Sequence, residues 1–211
     1  MAVNSDSSAD VTCTLKLATY NMRGFNQGKS VLFDLCHSCD IIFCQEHWLT
    51  PDLLFKIDAV ASDFTCFNIS AMDNAVSSRV LSGRPFGGLS ILVHKRYAAK
   101  AKLITADSRY VIVSVGNTLF VNVYLPCRDN SDVYKSAMID ILCAVGQVLD
   151  QNCNHNVIIA GDFNFEFSDE LWRFRILKEF FLMNTALPLV SCRATVPLVI
   201  VTAMNLYSAF H

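Results

Sequence analysis

The stretch YVIVSVGNTLFVNVYLP, residues 110–126, constrains the fold of this chain more than any other. Apolar residues alternate on both sides of Gly116 and Asn117, two residues that suit a tight turn. The stretch therefore reads as a β-hairpin, with every second side chain committed to a buried face. Elsewhere strands alternate with helices. LKLATYN, residues 15–21, alternates as a strand. DIIFCQE, residues 40–46, is apolar throughout its middle and so reads as a central strand. FTCFNIS, LSILVHK and NVIIAGDF (residues 64–70, 89–95 and 156–163) add three more strands.

The helical signals are of a different period. In SDVYKSAMIDILCAVGQVLDQ, residues 131–151, Met138, Ile141, Leu142, Val145, Val148 and Leu149 follow helical spacing, and Ser131 suits the N-cap. LTPDLLFKIDA starts a helix, with Thr50 as N-cap and Pro51 in the first position. Val31 to Cys39 reads as a short helix, preceded by a glycine-bearing turn, RGFNQGKS. A hairpin in one place and strand–helix alternation in others imply a layered α/β fold with mixed or antiparallel sheets.

A length of 211 residues fits one large domain with a sizeable core. The net charge of −2 announces no global positive field for nucleic acid. The first residues, MAVNSDSSADV, lack the apolar run of a secretory signal, so an intracellular protein of nucleus or cytoplasm is expected. The nine cysteines are odd in number and scattered, some within apolar runs, and read as reduced, partly buried thiols. Cys36, Cys39, Cys44 and His47 form a C-x2-C-x4-C-x2-H spacing. Structural zinc sites usually pair two short hooks across a longer loop, so buried thiols are the preferred reading.

Several strands end in residues that chemistry can use: Asn21 in TYNMRG, Glu46 in CQEHW, Tyr124 in NVYLP, and Asp162 with Asn164 in GDFN. Singly, each is an ordinary turn, solvated or half-buried residue. Together they place a carboxamide, a carboxylate, a phenol and an Asp-x-Asn pair at strand ends, where layered α/β enzymes build pockets. Side chains alternate along a strand, so Asp162 and Asn164 are expected to point to the same side.

The ordered set YNMRG, QEHWL, GRPFGG, VYLP and GDFN resembles the endonuclease/exonuclease/phosphatase superfamily. Within it, YNMRGFNQG followed by CDIIFCQEHWL most resembles the apurinic-type endonuclease domain of non-LTR (LINE-like) retrotransposons. The resemblance covers about residues 14–167, between a flexible segment 1–13 and a divergent or truncated segment 168–211. It implies a four-layer α/β/β/α sandwich, incomplete at its C-terminus. It also implies Mg2+ (or Mn2+) on the Glu46 carboxylate, with Asn21 helping to position the metal or its water. Asp162 would orient and deprotonate the attacking water, Asn164 would bond a non-bridging phosphate oxygen, and Tyr124 would do likewise or support the leaving group. The implied reaction nicks DNA, leaving a 3′ hydroxyl that primes a reverse transcriptase carried downstream in a full-length relative.

Arg79 and Arg84 in the loop 71–88, and Arg128 after YLPC, are candidate phosphate contacts or simply solvated arginines. The family pattern closes on Ser-Asp-His, and none of the five histidines here (37, 47, 94, 155 and 211) follows an aspartate. Only 47 residues run from Phe165 to the end, and from Glu179 onward the only charges are Glu179 and Arg193. Impaired activity is therefore expected. The apolar run VPLVIVTAMNLYSAF is too short and interrupted for a membrane span. Two other functions stay open: a phosphoesterase for a small molecule or lipid head group, and a non-catalytic remnant or interaction module.

Overall fold

The computed structural model describes residues 15–73, 85–126, 132–164, 175–180 and 198–202. The hairpin is present as β6 (Tyr110–Val115) and β7 (Thr118–Tyr124), paired antiparallel around Gly116 and Asn117. It forms the middle of a sheet ordered β5-β6-β7-β8-β9, with β5 at Ala101–Asp107, β8 at Asn156–Asp162 and β9 at Leu198–Thr202. The other sheet is ordered β1-β2-β4-β3, from Leu17–Asn21, Ile41–Gln45, Leu89–His94 and Phe64–Ile69. Both sheets are mixed: β1 with β2, and β7 with β8 and β9, run parallel, and the remaining pairs are antiparallel.

Alternation decides which side chain enters which layer. On β2, Ile41 and Phe43 face the second sheet and pack with Ile91, Val93, Val111, Val113 and Phe120. Ile42 and Cys44 face the other way, against Leu32 of helix α1 (Phe25–Ser38) and Ile57 of helix α2 (Phe55–Val60). On the outer side of the second sheet, Leu119, Val121, Val123 and Ile159 pack on Met138, Ile141, Leu142 and Val145 of helix α3 (Asp132–Gln151). The result is the four-layer α/β/β/α order. β2 is buried at all five positions, as its unbroken apolar run requires. Each fully buried aliphatic side chain there contributes about 1.5–3 kcal/mol of transfer free energy.

Four sequence expectations change. Helix α1 starts at Phe25, inside the expected turn. Gly28 lies within that helix because a Cβ there would come 2.9 Å from the Met22 carbonyl oxygen, so its glycine marks close packing of backbone on backbone. Thr50 caps no helix with its side chain. Pro51–Leu53 forms a separate 3-10 turn ahead of the short α2. Strand β5 was not expected, since a register shift between Leu103 and Thr105 breaks its alternation. The apolar run near the C-terminus supplies β9, which covers the edge of β8. Segment 1–13 and Arg79, Arg84, Arg128 and Ser131 lie outside the described residues. Among the described residues no helix is long and apolar enough to cross a membrane.

Candidate active site

β1 and β2 run parallel, as do β7 and β8, so the ends carrying Asn21, Glu46, Tyr124 and Asp162 can share a rim. Asn21 closes the first sheet onto the second. Its Nδ2 donates to Glu46 Oε1 at 2.8 Å and to Asp162 Oδ2 at 2.7 Å. The Tyr124 hydroxyl donates to the same Glu46 oxygen at 3.0 Å. Two carboxylates that would repel one another are thus bridged by one amide group, with a phenol on the far side.

Past the strand ends the backbone stays ordered. Met22, Gly24 and Phe25 donate from their amides to the carbonyls of Gln45, Glu46 and His47 at 2.8, 2.7 and 2.8 Å. This ladder holds Glu46 in the left-handed region, at φ 56°. Such a conformation is uncommon for a non-glycine residue and costs on the order of 1–3 kcal/mol. The next residue, His47, is fully buried. Its Nδ1 accepts from the Leu49 amide at 3.1 Å and its Nε2 lies 3.0 Å from the Ile69 carbonyl, so Nε2 carries the proton. Burial pushes its pKa down to about 4, and the ring is neutral. His47 is therefore a core histidine with both nitrogens engaged.

The other members of the C-x2-C-x4-C-x2-H spacing do not gather around it as a zinc cage. Cys44 is buried on β2, and Cys36 and Cys39 pack with the same helix-facing cluster. Among the described residues no group of three or more His, Cys, Asp or Glu side chains can hold a metal. The six described cysteines are free thiols.

Asn164 departs from the sequence expectation. β8 ends at Asp162, and Asn164 follows in the left-handed region at φ 47°. The strand alternation that would have placed both side chains on one face stops before it applies. The Asn164 amide N–H instead donates to Asp162 Oδ1 at 2.9 Å, and its Nδ2 donates to the Leu125 carbonyl at 2.7 Å. Asn164 thereby orients Asp162 through the backbone and ties it to the end of β7.

Asn21 is engaged at both ends of its amide. Its Oδ1, the atom a cation would use, accepts the Arg23 amide at 3.0 Å, and its nitrogen serves the two carboxylates. Glu46 differs. Both of its hydrogen bonds fall on Oε1, so Oε2 is open among the described residues. Mg2+ prefers hard oxygen ligands and keeps several of its waters, so a carboxylate with one open oxygen fits it. This donor set is too sparse for a cation that needs a full protein cage.

Beside Glu46 and Tyr124 lies a cavity of about 400 Å³, also lined by Trp48, Phe86, Ser108 and Arg109. The Arg109 guanidinium sits 5.1 Å from the centre of the Tyr124 ring, a cation–π arrangement. Sequence reading passed over Arg109. It lies in the turn between β5 and β6, and without β5 there was no reason to place that turn on the rim. The arginines singled out instead, Arg79, Arg84 and Arg128, lie outside the described residues.

A shared fold extends well beyond this rim. The structure superposes on the 3′ phosphatase NExo from Neisseria, solved with product DNA hairpin, with TM-score 0.54 and 16% identity over 74% of this chain and 60% of that one. An AP endonuclease from Archaeoglobus fulgidus gives TM-score 0.51 and 14% identity over 71% of this chain and 57% of that one. The human Nocturnin catalytic domain, with bound sulfate anion, gives 0.51 and 15% over 75% and 67%. This chain thus spans about three fifths of the length of the first two. A comparison with curated proteins found no match. At such identities the superpositions establish the fold, and the sequence itself establishes the lineage. Residues 18–181 match the model of the Endonuclease/Exonuclease/phosphatase family, and the chain belongs to that family.

Proposed function

We propose that this chain hydrolyses phosphodiester bonds of DNA with a divalent metal, nicking one strand. The observation that carries this reading is the continuous hydrogen-bonded set Asp162–Asn21–Glu46–Tyr124, drawn from strand ends of both sheets. Bound at Glu46, Mg2+ or Mn2+ would stabilise the negative charge that develops on the phosphate oxygens. The rest falls to the protein. Asn21 holds the two carboxylates side by side. Asp162, fixed through Oδ1 by Asn164 and through Oδ2 by Asn21, orients a water and takes its proton. Asn164 retains a second amide proton for a non-bridging phosphate oxygen. Tyr124 turns its hydroxyl from Glu46 to the substrate, and Arg109 supplies positive charge on the same wall.

DNA as the substrate is supported by the nature of two of the superposed proteins, one holding a DNA product and one an AP endonuclease. The wording of YNMRGFNQG and CDIIFCQEHWL supports a LINE-like retrotransposon endonuclease, acting inside the cell ahead of a reverse transcriptase in a longer relative.

Supercoiled plasmid tests the proposal. Wild-type chain with Mg2+ should produce nicked circles, EDTA should abolish them, and Asp162→Ala should slow nicking by about 10²-fold or more. Absence of nicking by folded wild-type protein, or nicking that survives Asp162→Ala unchanged, would overturn it.

A further inference from the structure

The cavity beside Glu46 has walls that phosphate chemistry does not require. Trp48 and Phe86 line it together with the polar groups of Glu46, Tyr124 and Arg109. Phe86 leaves 59% of its surface in contact with water, and three residues on, the chain enters β4. Trp48 is held from several directions. Its amide donates to the Gly87 carbonyl at 2.9 Å, which joins the two aromatic-bearing segments. Its ring lies over Gly24, where a Cβ would come 2.7 Å from Cε3. Its backbone is in the left-handed region at φ 56°, an outlier for a bulky residue. Strain of this kind persists where the surroundings over-determine it, often at ligand clamps. Trp48 packing against bare backbone and Phe86 left in water give the cavity an aromatic lining next to the candidate phosphate site.

The electrostatics name the occupant. Among the described residues Arg109 makes no ion pair, and its charge rests only on the Tyr124 ring. A ligand that fits must therefore carry an anion at one end and a flat, aromatic group at the other. A volume of about 400 Å³ falls within the range of pockets that hold one small ligand, about 300–1,000 Å³. We propose that this cavity is a subsite for one unstacked nucleobase, resting on Trp48 and Phe86, in the nucleotide whose phosphate reaches Arg109 and the divalent metal that Glu46 would hold. The inference rests on the phosphodiesterase reading above for the identity of the anion. It adds that the preferred substrate is single-stranded, or locally unpaired, where the bases are free to leave the stack. Stacking of this kind is tolerant of sequence, because every base has a π-face.

Binding tests this independently of cleavage. The full chain carrying Asp162→Asn would be titrated, with Mg2+, into a fluorescently labelled single-stranded oligonucleotide. A matched strand carrying abasic residues throughout serves as comparison, and anisotropy gives the affinity. The base-bearing strand should bind about tenfold or more tightly than the abasic one. Phe86→Ala and Trp48→Ala should each remove most of that difference, and Trp48→Phe should keep it. Because Phe86 is largely exposed, Phe86→Ala keeps the test decisive if Trp48→Ala fails to fold. Equal affinity for the two strands, or a preference that survives Phe86→Ala in a normally folded variant, would overturn the proposal. Base-dependent binding by a chain that never nicks plasmid would overturn the hydrolytic reading and leave this subsite standing.

Discussion

Glu46, Trp48 and Asn164 share an unusual backbone state, with φ of 56°, 56° and 47°. Asparagine tolerates the left-handed region, and glutamate and tryptophan do so at a cost. These bends turn side chains at strand ends toward the rim, and nothing in the amino-acid pattern announces them. The thiols obey simpler rules. Burial raises the pKa of Cys36 to about 11, and Cys44 and Cys66 are raised by the same cause, whereas Cys143 is exposed. The thiolate is the reacting species, so burial slows the reaction of Cys36, Cys44 and Cys66 at pH 8. Iodoacetamide on the native protein should alkylate Cys143 at least tenfold faster than Cys36, Cys44 or Cys66, as read by peptide mass spectrometry over time. Reactivity of Cys36, Cys44 and Cys66 should rise as pH increases. Among the site residues, Asn21, Glu46, Tyr124 and Asp162 were legible because each ends a recognisable strand. Arg109 was not, because its turn belongs to a strand that alternation failed to show. Asn164 was placed in the right neighbourhood with the wrong geometry, since strand periodicity cannot report where a strand stops.

At the scale of elements, β8 is the most tightly constrained strand. Gly161 has φ 146°, and a Cβ there would fall onto the Val123 carbonyl oxygen of β7. The close approach allows the ladder to continue as far as Tyr124 and Asp162, the last paired residues before the site. Gly161→Ala must move one of these backbones, and a cost of about 3 kcal/mol or more is expected. In a chain of this size that corresponds to a fall in Tm of roughly 6–12 °C, measurable by circular dichroism. The long elements were legible from the sequence: β2 from its unbroken apolar run, the β6–β7 hairpin from alternation, and α3 from its helical stripe. Interrupted elements were harder to read: the bulged β5 lost its alternation, the helix expected from LTPDLLFKIDA is split into a 3-10 turn and the six-residue α2, and Gly28 suggested a turn where the helix needed a residue without a side chain.

For the whole molecule, one buried polar contact sets how the sheets meet. Asn122 on β7 crosses the apolar layer, accepting from Gln45 Nε2 at 2.7 Å and donating to the carbonyls of Cys44 and Ser90, each at 2.9 Å. Gln45 immediately precedes Glu46, and Asn122 lies two residues before Tyr124, so this bridge stands directly beneath the candidate site. Removing it leaves several buried groups unpaired, and each such group costs about 1–3 kcal/mol. Asn122→Ala should therefore destabilise the protein by about 3 kcal/mol or more in urea unfolding. An unchanged midpoint would show that the sheets find their relation without it. The sequence offered no sign of this bridge, since Asn122 sits mid-strand at a position that polar residues often occupy facing water.

The bond between Asn21 and Asp162 joins residues 141 positions apart. A ribosome adding about 5–20 residues per second makes Asp162 roughly 7–28 s after Asn21. For most of that interval the emerging polypeptide carries Glu46 without Asp162, the proposed partner that would deprotonate water. Under the proposed function, hydrolytic competence would wait on this late event in biosynthesis, and a newborn chain would leave the nucleic acids around it uncut until β8 has been made and seated.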